Sequence, residues 1–164
     1  MDQNAAHELR YRIATTADIA PLVAMINAAF SVEEFLEGTR TDAARLASVM
    51  TKGQMLVAED ALGRMVGTLF MENRGERGYL GMLAVDPAAQ RMGIARRMTA
   101  EAEQRLRAAG CKVLEIIVLN MRPELLPLYR SWGFQQVGAT DFKPNRGVKP
   151  GIEVHGILME KQLE

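Results

Sequence analysis

The stretch that most constrains this chain is its middle, where the apolar period changes twice in quick succession. Residues 79–85 form an apolar run ended by Asp86-Pro87, which reads as a strand buried on both faces. From about Gln90 the period becomes helical. Ile94, Met98, Ala102, Leu106 and Ala109 mark one stripe, arginines and glutamates lie opposite, and Gly110 closes the element. Residues 113–119 then form a β-branched apolar strand. A strand–helix–strand crossover of this kind requires a locally parallel pair.

The flanking sequence supplies antiparallel partners. Residues 11–14 are a short strand, and Asp18 reads as the cap of a helix with Pro21 in its first turn and Ile19, Leu22, Val23 and Ile26 on its apolar face. Leu46, Val49 and Met50 give a second short helix stopped at Gly53. Residues 55–59 and 65–72 are strands joined by the hairpin signal Asp60-Ala61-Leu62-Gly63, and residues 73–78 read as a turn. Beyond the crossover come a helix over 123–132, a strand over 134–138, a Pro/Gly/Asn-rich stretch over 143–151 and a final strand near 154–159. The expected order is β α α β β β α β α β β. This is an α+β single domain, a mixed, mainly antiparallel sheet of six or seven strands flanked by about four helices.

Counts narrow the chemistry. With 164 residues the chain is the length of one domain. Lys+Arg 20 balance Asp+Glu 20, so the basic excess of a dedicated nucleic-acid binder is missing. Cys111 is the single cysteine, which leaves no intrachain disulfide and no Cys-based zinc cluster. His7 and His155 are far apart, and no metal site is expected. Residues 1–12 lack the apolar stretch of a signal peptide, and no run approaches the ~18 apolar residues of a membrane helix, so a cytoplasmic protein without membrane partners is expected.

The start of the central helix carries the chemistry. A helix N-terminus presents unpaired N–H groups and the positive end of the dipole, which suits phosphate when the backbone can be approached closely. Gly93 has no Cβ and Ala95 a minimal one, so phosphate oxygens can reach the amides of Met92, Gly93, Ile94, Ala95 and Arg96, with Arg91, Arg96 and Arg97 adding positive charge. The stretch matches neither G-x-x-x-x-G-K-[ST] nor G-x-G-x-x-G.

Gln90-x-x-Gly93-x-Ala95, following a strand that ends Leu83-Ala84-Val85-Asp86-Pro87, resembles the acetyl-CoA signature of the GNAT superfamily of N-acetyltransferases. Downstream, Asn120 and the run Leu128-Tyr129-Arg130-Ser131-Trp132-Gly133-Phe134 resemble that family's second block. Asn120 and Tyr129 are further apart than is common in the family, with Pro123 and Pro127 between them.

The resemblance implies a GNAT-like fold over nearly the whole chain, with acetyl-CoA as co-substrate lying where the strands ending at Val85 and Leu119 part. The pyrophosphate would rest on the amides from Arg91 to Arg96, beside Gln90. The pantetheine would pair with main-chain groups of Leu83, Ala84 and Val85 as an added strand. Asn120 would contact the cofactor. Tyr129 would be the general acid for a departing thiolate, whose thiol has a pKa of about 8.5.

The base that deprotonates an amine is less marked. Glu72 and Glu76, with Tyr79, flank the expected acceptor cleft, and a water chain is an alternative. The acceptor is expected to be a small-molecule or peptide amine. Glu33, Glu34 and Glu37 form an acidic patch suited to a cationic amine, while Arg40 suits an acceptor with a carboxylate. Cys111 reads as a small core residue, and His155 as a structural or interface one. A homodimer through late strands is in keeping with the fold. The alternatives to an enzyme are a non-catalytic acyl-CoA-binding module and a phosphate-binding domain without acyl chemistry.

Overall fold

Odd and even positions of the strand Gln54–Glu59 go to different cores. Met55 and Val57 join one buried cluster and Leu56 and Ala58 another, because successive strand side chains point to opposite faces. This division organises the molecule in the computed structural model, which describes residues 8–141 and 146–163. The strands are β1 (Arg10–Ile13), β2 (Gln54–Glu59), β3 (Met65–Arg74), β4 (Arg77–Val85), β5 (Val113–Leu119), β6 (Gln135–Asp141) and β7 (His155–Gln162). They form one sheet in the order β1-β2-β3-β4-β5-β7-β6.

The helices are α1 (Ile19–Ala29), α2 (Ala43–Val49), α3 (Ile94–Ala108) and α4 (Leu125–Ser131). Leu22, Met25 and Ile26 of α1 and Leu46 of α2 pack with Met55, Val57 and Phe70. On the other core, Ile94, Met98, Ala102 and Leu106 of α3 bury the expected stripe against Leu56, Leu69, Leu80 and Leu114. Glycines let α3 sit close: a Cβ at Gly67 would lie 2.5 Å from the Met98 sulfur, and one at Gly78 would lie 2.9 Å from Leu106.

β4 and β5 are parallel, and the other neighbours are antiparallel. The parallel join is short. Only Arg77↔Val113, Gly78↔Leu114 and Tyr79↔Glu115 are in register, after which the two strands part. Arg77 reinforces this end, pairing Glu115 at 3.1 Å and also Glu160 of β7.

Several expected boundaries move. The turn expected over 73–78 shrinks, because β3 runs to Arg74 and β4 starts at Arg77. β4 is not buried on both faces. Leu80 and Ala84 are buried, but Met82, Leu83 and Val85 are only half-buried, since no strand covers that side once β5 has parted. The central helix starts at Ile94 and not near Gln90, after a short 3-10 turn over Pro87–Ala89. Asp18 does not cap α1 with its side chain. It accepts instead from the Thr15 N–H at 2.8 Å and holds Arg12. Residues 143–145 of the expected loop lie outside the described residues. Among the described residues, no helix is long and apolar enough to cross a membrane.

Candidate functional site

Where β4 and β5 part, a cleft of about 1100 Å³ opens. Its floor is an irregular stretch of β4. Thr68 of β3 faces Ala84 and Phe70 faces Gly81, so Leu69 alone stands opposite both Met82 and Leu83. Met82 takes up the extra residue with φ 51, a left-handed conformation rare for a side chain of its size. Such a bulge turns main-chain groups out of the ladder and re-aims them. Here it does so on the strand that lines the cleft.

The turn before α3 closes one end. Gly93 is the N-cap of α3 with φ 73, and Arg91, two residues before it, has φ 69. Left-handed residues at this spacing curl the chain so that successive N–H groups converge on an anion. The first N–H to reach an intrahelical carbonyl is that of Arg97, on Gly93 at 3.1 Å, which leaves the earlier amides for a ligand. A Cβ at Gly93 would meet nothing within 4 Å, so the space in front of this turn is open. Gln90, Arg91, Gly93, Ile94, Ala95 and Arg96 line the cleft, as do Leu83 and Val85. Met92 packs on the core, and Ala84 is buried beneath the strand, so both take part only through their backbones. A helix start with open amides beside an unpaired strand fits an extended ligand with a phosphate end, as acetyl-CoA is.

Tyr129 of α4 also lines the cleft. Its ring is held edge-on by Trp132 at 5.3 Å and Phe134 at 5.9 Å. Burial pushes its phenol up to about 12, with Arg122 pulling the other way. The group therefore stays protonated and able to donate. Tyr79 faces the same space, and burial raises its phenol too, chiefly against the pull of Arg40 and Arg74. A phenol held protonated is a poor base.

Three expected residues are engaged by partners of their own. Asn120 does not line the cleft. Its amide nitrogen donates to the Glu153 carbonyl at 3.1 Å and its oxygen accepts from the His155 N–H at 2.8 Å, so it pins the entry to β7. Glu76 sits exposed in the β3–β4 turn, paired with Lys112 at 3.2 Å and away from the cleft. Glu72 does line the cleft, but its carboxylate is held by Arg74 at 2.6 Å.

The acidic patch is also not what its sequence implies. Glu33 is buried, bonded to Arg122 at 3.1 Å and to Arg146 at 3.2 Å, while Glu34 and Glu37 are exposed and do not line the cleft. Arg122, Arg146 and Met82 were not legible as site residues. The two arginines come from distant segments, and a bulge at a methionine leaves no sequence mark. Cys111 is buried against Asn73 and Gly75 with its thiol pushed up by burial, and His155 is exposed outside the cleft.

Comparison with known proteins agrees with this fold. The family profile described as acetyltransferase (GNAT) domain matches residues 23–148. Among solved structures, a ribosomal-protein-alanine N-acetyltransferase from Brucella melitensis is 25% identical, with a TM-score of 0.74 over 94% of this chain and 99% of that one. A protein of Salmonella typhimurium solved with its cofactor acetyl-CoA is 23% identical, with a TM-score of 0.72 over 95% and 94%. A GNAT superfamily phosphinothricin acetyltransferase from Sinorhizobium meliloti, in complex with acetyl-CoA, is 20% identical, with a TM-score of 0.74 over 94% and 88%.

Proposed function

Since the chain belongs to the GNAT acetyltransferase family, we propose that it transfers the acetyl group of acetyl-CoA to a primary amine, by direct attack within a ternary complex. The observation that carries this reading is the join of β4 and β5, which stops after Tyr79↔Glu115 and opens toward the left-handed turn at Arg91 and Gly93.

Acetyl-CoA supplies an acyl group already activated as a thioester. The chain's own groups do the rest. Amides of the turn from Arg91 to Arg96 hold the pyrophosphate. The free edge of β4 at Leu83 and Val85 holds the pantetheine by strand addition. A main-chain N–H at the bulge of Met82 and Leu83 would serve the thioester oxygen, where negative charge grows as the amine attacks. The new C–N bond forms as the C–S bond breaks, and Tyr129 donates its phenolic proton to the departing sulfur.

The amine must first lose a proton, from a pKa of about 10. Glu72 is the carboxylate of the cleft that can take it, with its pairing to Arg74 as the obstacle. Water is the alternative carrier. Once the C–N bond has formed, the nitrogen loses its second proton, which replaces the one Tyr129 gave to sulfur, and the first passes from Glu72 or water to solvent, so the chain regains its starting protonation.

Calorimetry with CoA and a free-thiol release assay over an amine panel test the reading. Gly93→Glu puts a side chain and a negative charge in the phosphate turn, and we expect loss of CoA binding. Wild-type-like CoA affinity in that variant overturns the assigned turn. Acetyl-CoA binding without thiol release for any amine identifies a binding module instead.

A further inference from the structure

The end of the cleft away from the phosphate turn is lined by four arginines, Arg40, Arg74, Arg122 and Arg146, and two carboxylates, Glu33 and Glu72. Most of this charge is already satisfied. Glu33 is shared by Arg122 and Arg146, and Arg146 also donates to the carbonyls of Glu37 at 3.2 Å and Gly38 at 3.3 Å. Glu72 is taken by Arg74, whose guanidinium lies 4.4 Å over the Tyr79 ring.

Arg40 is left over. Its guanidinium lies 5.3 Å over the Phe30 ring, and among the described residues no carboxylate is within ion-pair distance of it. Burial lowers its pKa, with Glu33 and Tyr79 offsetting this only from a distance. A largely desolvated guanidinium carries five donors and no acceptor, and leaving it unanswered is costly. Its planar fork matches a carboxylate or a phosphate, and the phosphate end of the co-substrate is assigned to the turn at the other end of the cleft.

We infer that the acetyl acceptor is an amino-carboxylate, an amine whose own carboxylate is bound by Arg40 at the Phe30 end of the cleft. This rests on the transferase reading and deepens it. A zwitterion brings one negative charge to Arg40 and is neutral overall. A polyamine or aminoglycoside brings only positive charge to a wall where arginines outnumber carboxylates.

The test pairs each amino acid with its amide and its decarboxylated amine in the thiol-release assay. The same compounds are titrated by NMR against the protein with and without CoA. We expect amino acids to turn over with a kcat/KM about 10–100-fold above that of the matched amines, the size of a hydrogen-bonded charge pair. Arg40→Ala should remove that discrimination and leave CoA affinity unchanged, while Arg40→Lys should restore part of it. Equal or better turnover of amines without a carboxylate overturns the inference. So does an equal fall for both classes in the Arg40 variants, or the absence of both binding and turnover with every amino acid. If CoA itself does not bind, the transferase reading falls, and NMR binding of amino acids that is lost in Arg40→Ala still decides this one.

Discussion

At the scale of single residues, Tyr129 is the side chain the sequence marked most plainly and whose setting it showed least. Its place in the run from Leu128 to Phe134 marked it, but the edge-on rings of Trp132 and Phe134 are known only from the fold. We expect Tyr129→Phe to lower kcat by about 10²-fold or more while CoA affinity, read by calorimetry, stays within error. Because the folded phenol is pushed up to about 12 from an ordinary 10, Tyr129 does not ionise on the alkaline limb near pH 8–9. The same shift stabilises the fold fully below pH 10, and that contribution is lost as pH rises from about 10 through 12. Chemical denaturation of wild type and Tyr129→Phe across that window checks it, and the variant should lose less stability. Asn120 teaches the converse. The sequence placed it at the cofactor, yet its partners at Glu153 and His155 lie 33 and 35 residues away, and no local pattern announces them.

Between elements, close seating decides what the turn can do. The stripe on α3 was plain in the sequence, but its first residue was not. The stretch from Gln90 to Gly93 has helix-like composition, while left-handed residues at Arg91 and Gly93 keep it out of the helix. β3 meets α3 at Gly67, where a side chain would collide with Met98 and with Ile94 at 3.3 Å. Gly67→Val should lift the N-terminus of α3 from the sheet, cost about 1–3 kcal/mol by overpacking, and weaken CoA binding although the residue touches no ligand. Denaturant melts and CoA titration of the same variant measure both. Elsewhere, β1 is tied to the start of α1 by two bonds from Arg12 to Asp18, at 2.8 and 2.9 Å. These bonds, the guanidinium first and then the Thr15 N–H, hold the Asp18 carboxyl at about 2 against an ordinary 3.8. Its stabilisation is therefore present above about pH 4 and lost as pH falls toward 2. We expect Asp18→Asn to cost about 1 kcal/mol at neutral pH, allowing for screening, and to flatten the acid limb of a stability–pH curve.

Taken whole, the molecule is two leaves. The element order and the presence of one parallel pair were readable from the changes of period. That the pair would stop after three rungs was not, since residues 80–85 are as apolar as a fully paired strand. A ligand lying along β4 replaces the missing rungs. We expect CoA to slow hydrogen exchange at residues 80–85 and 116–119 more than at β1, and to raise the melting temperature with concentration, by about 2.7 kcal/mol of stability at a hundredfold excess over Kd. Exchange-mass spectrometry with and without CoA reads the first effect and a thermal-shift series the second.

The far end of the opening is held as well. Leu36 bridges Val148, the Glu37 N–H reaches the Gly147 carbonyl at 2.7 Å, and Glu33 clasps arginines from two later segments. The gap between the leaves is thus tied at the end away from the phosphate turn, by the last rung at Tyr79 and by ion pairs among residues that line it. Anything thicker than the gap must break a rung at Tyr79 or an ion pair at Glu33 before it can lie flat. How thick an occupant this end admits is then set by bonds among the lining residues as much as by their shapes.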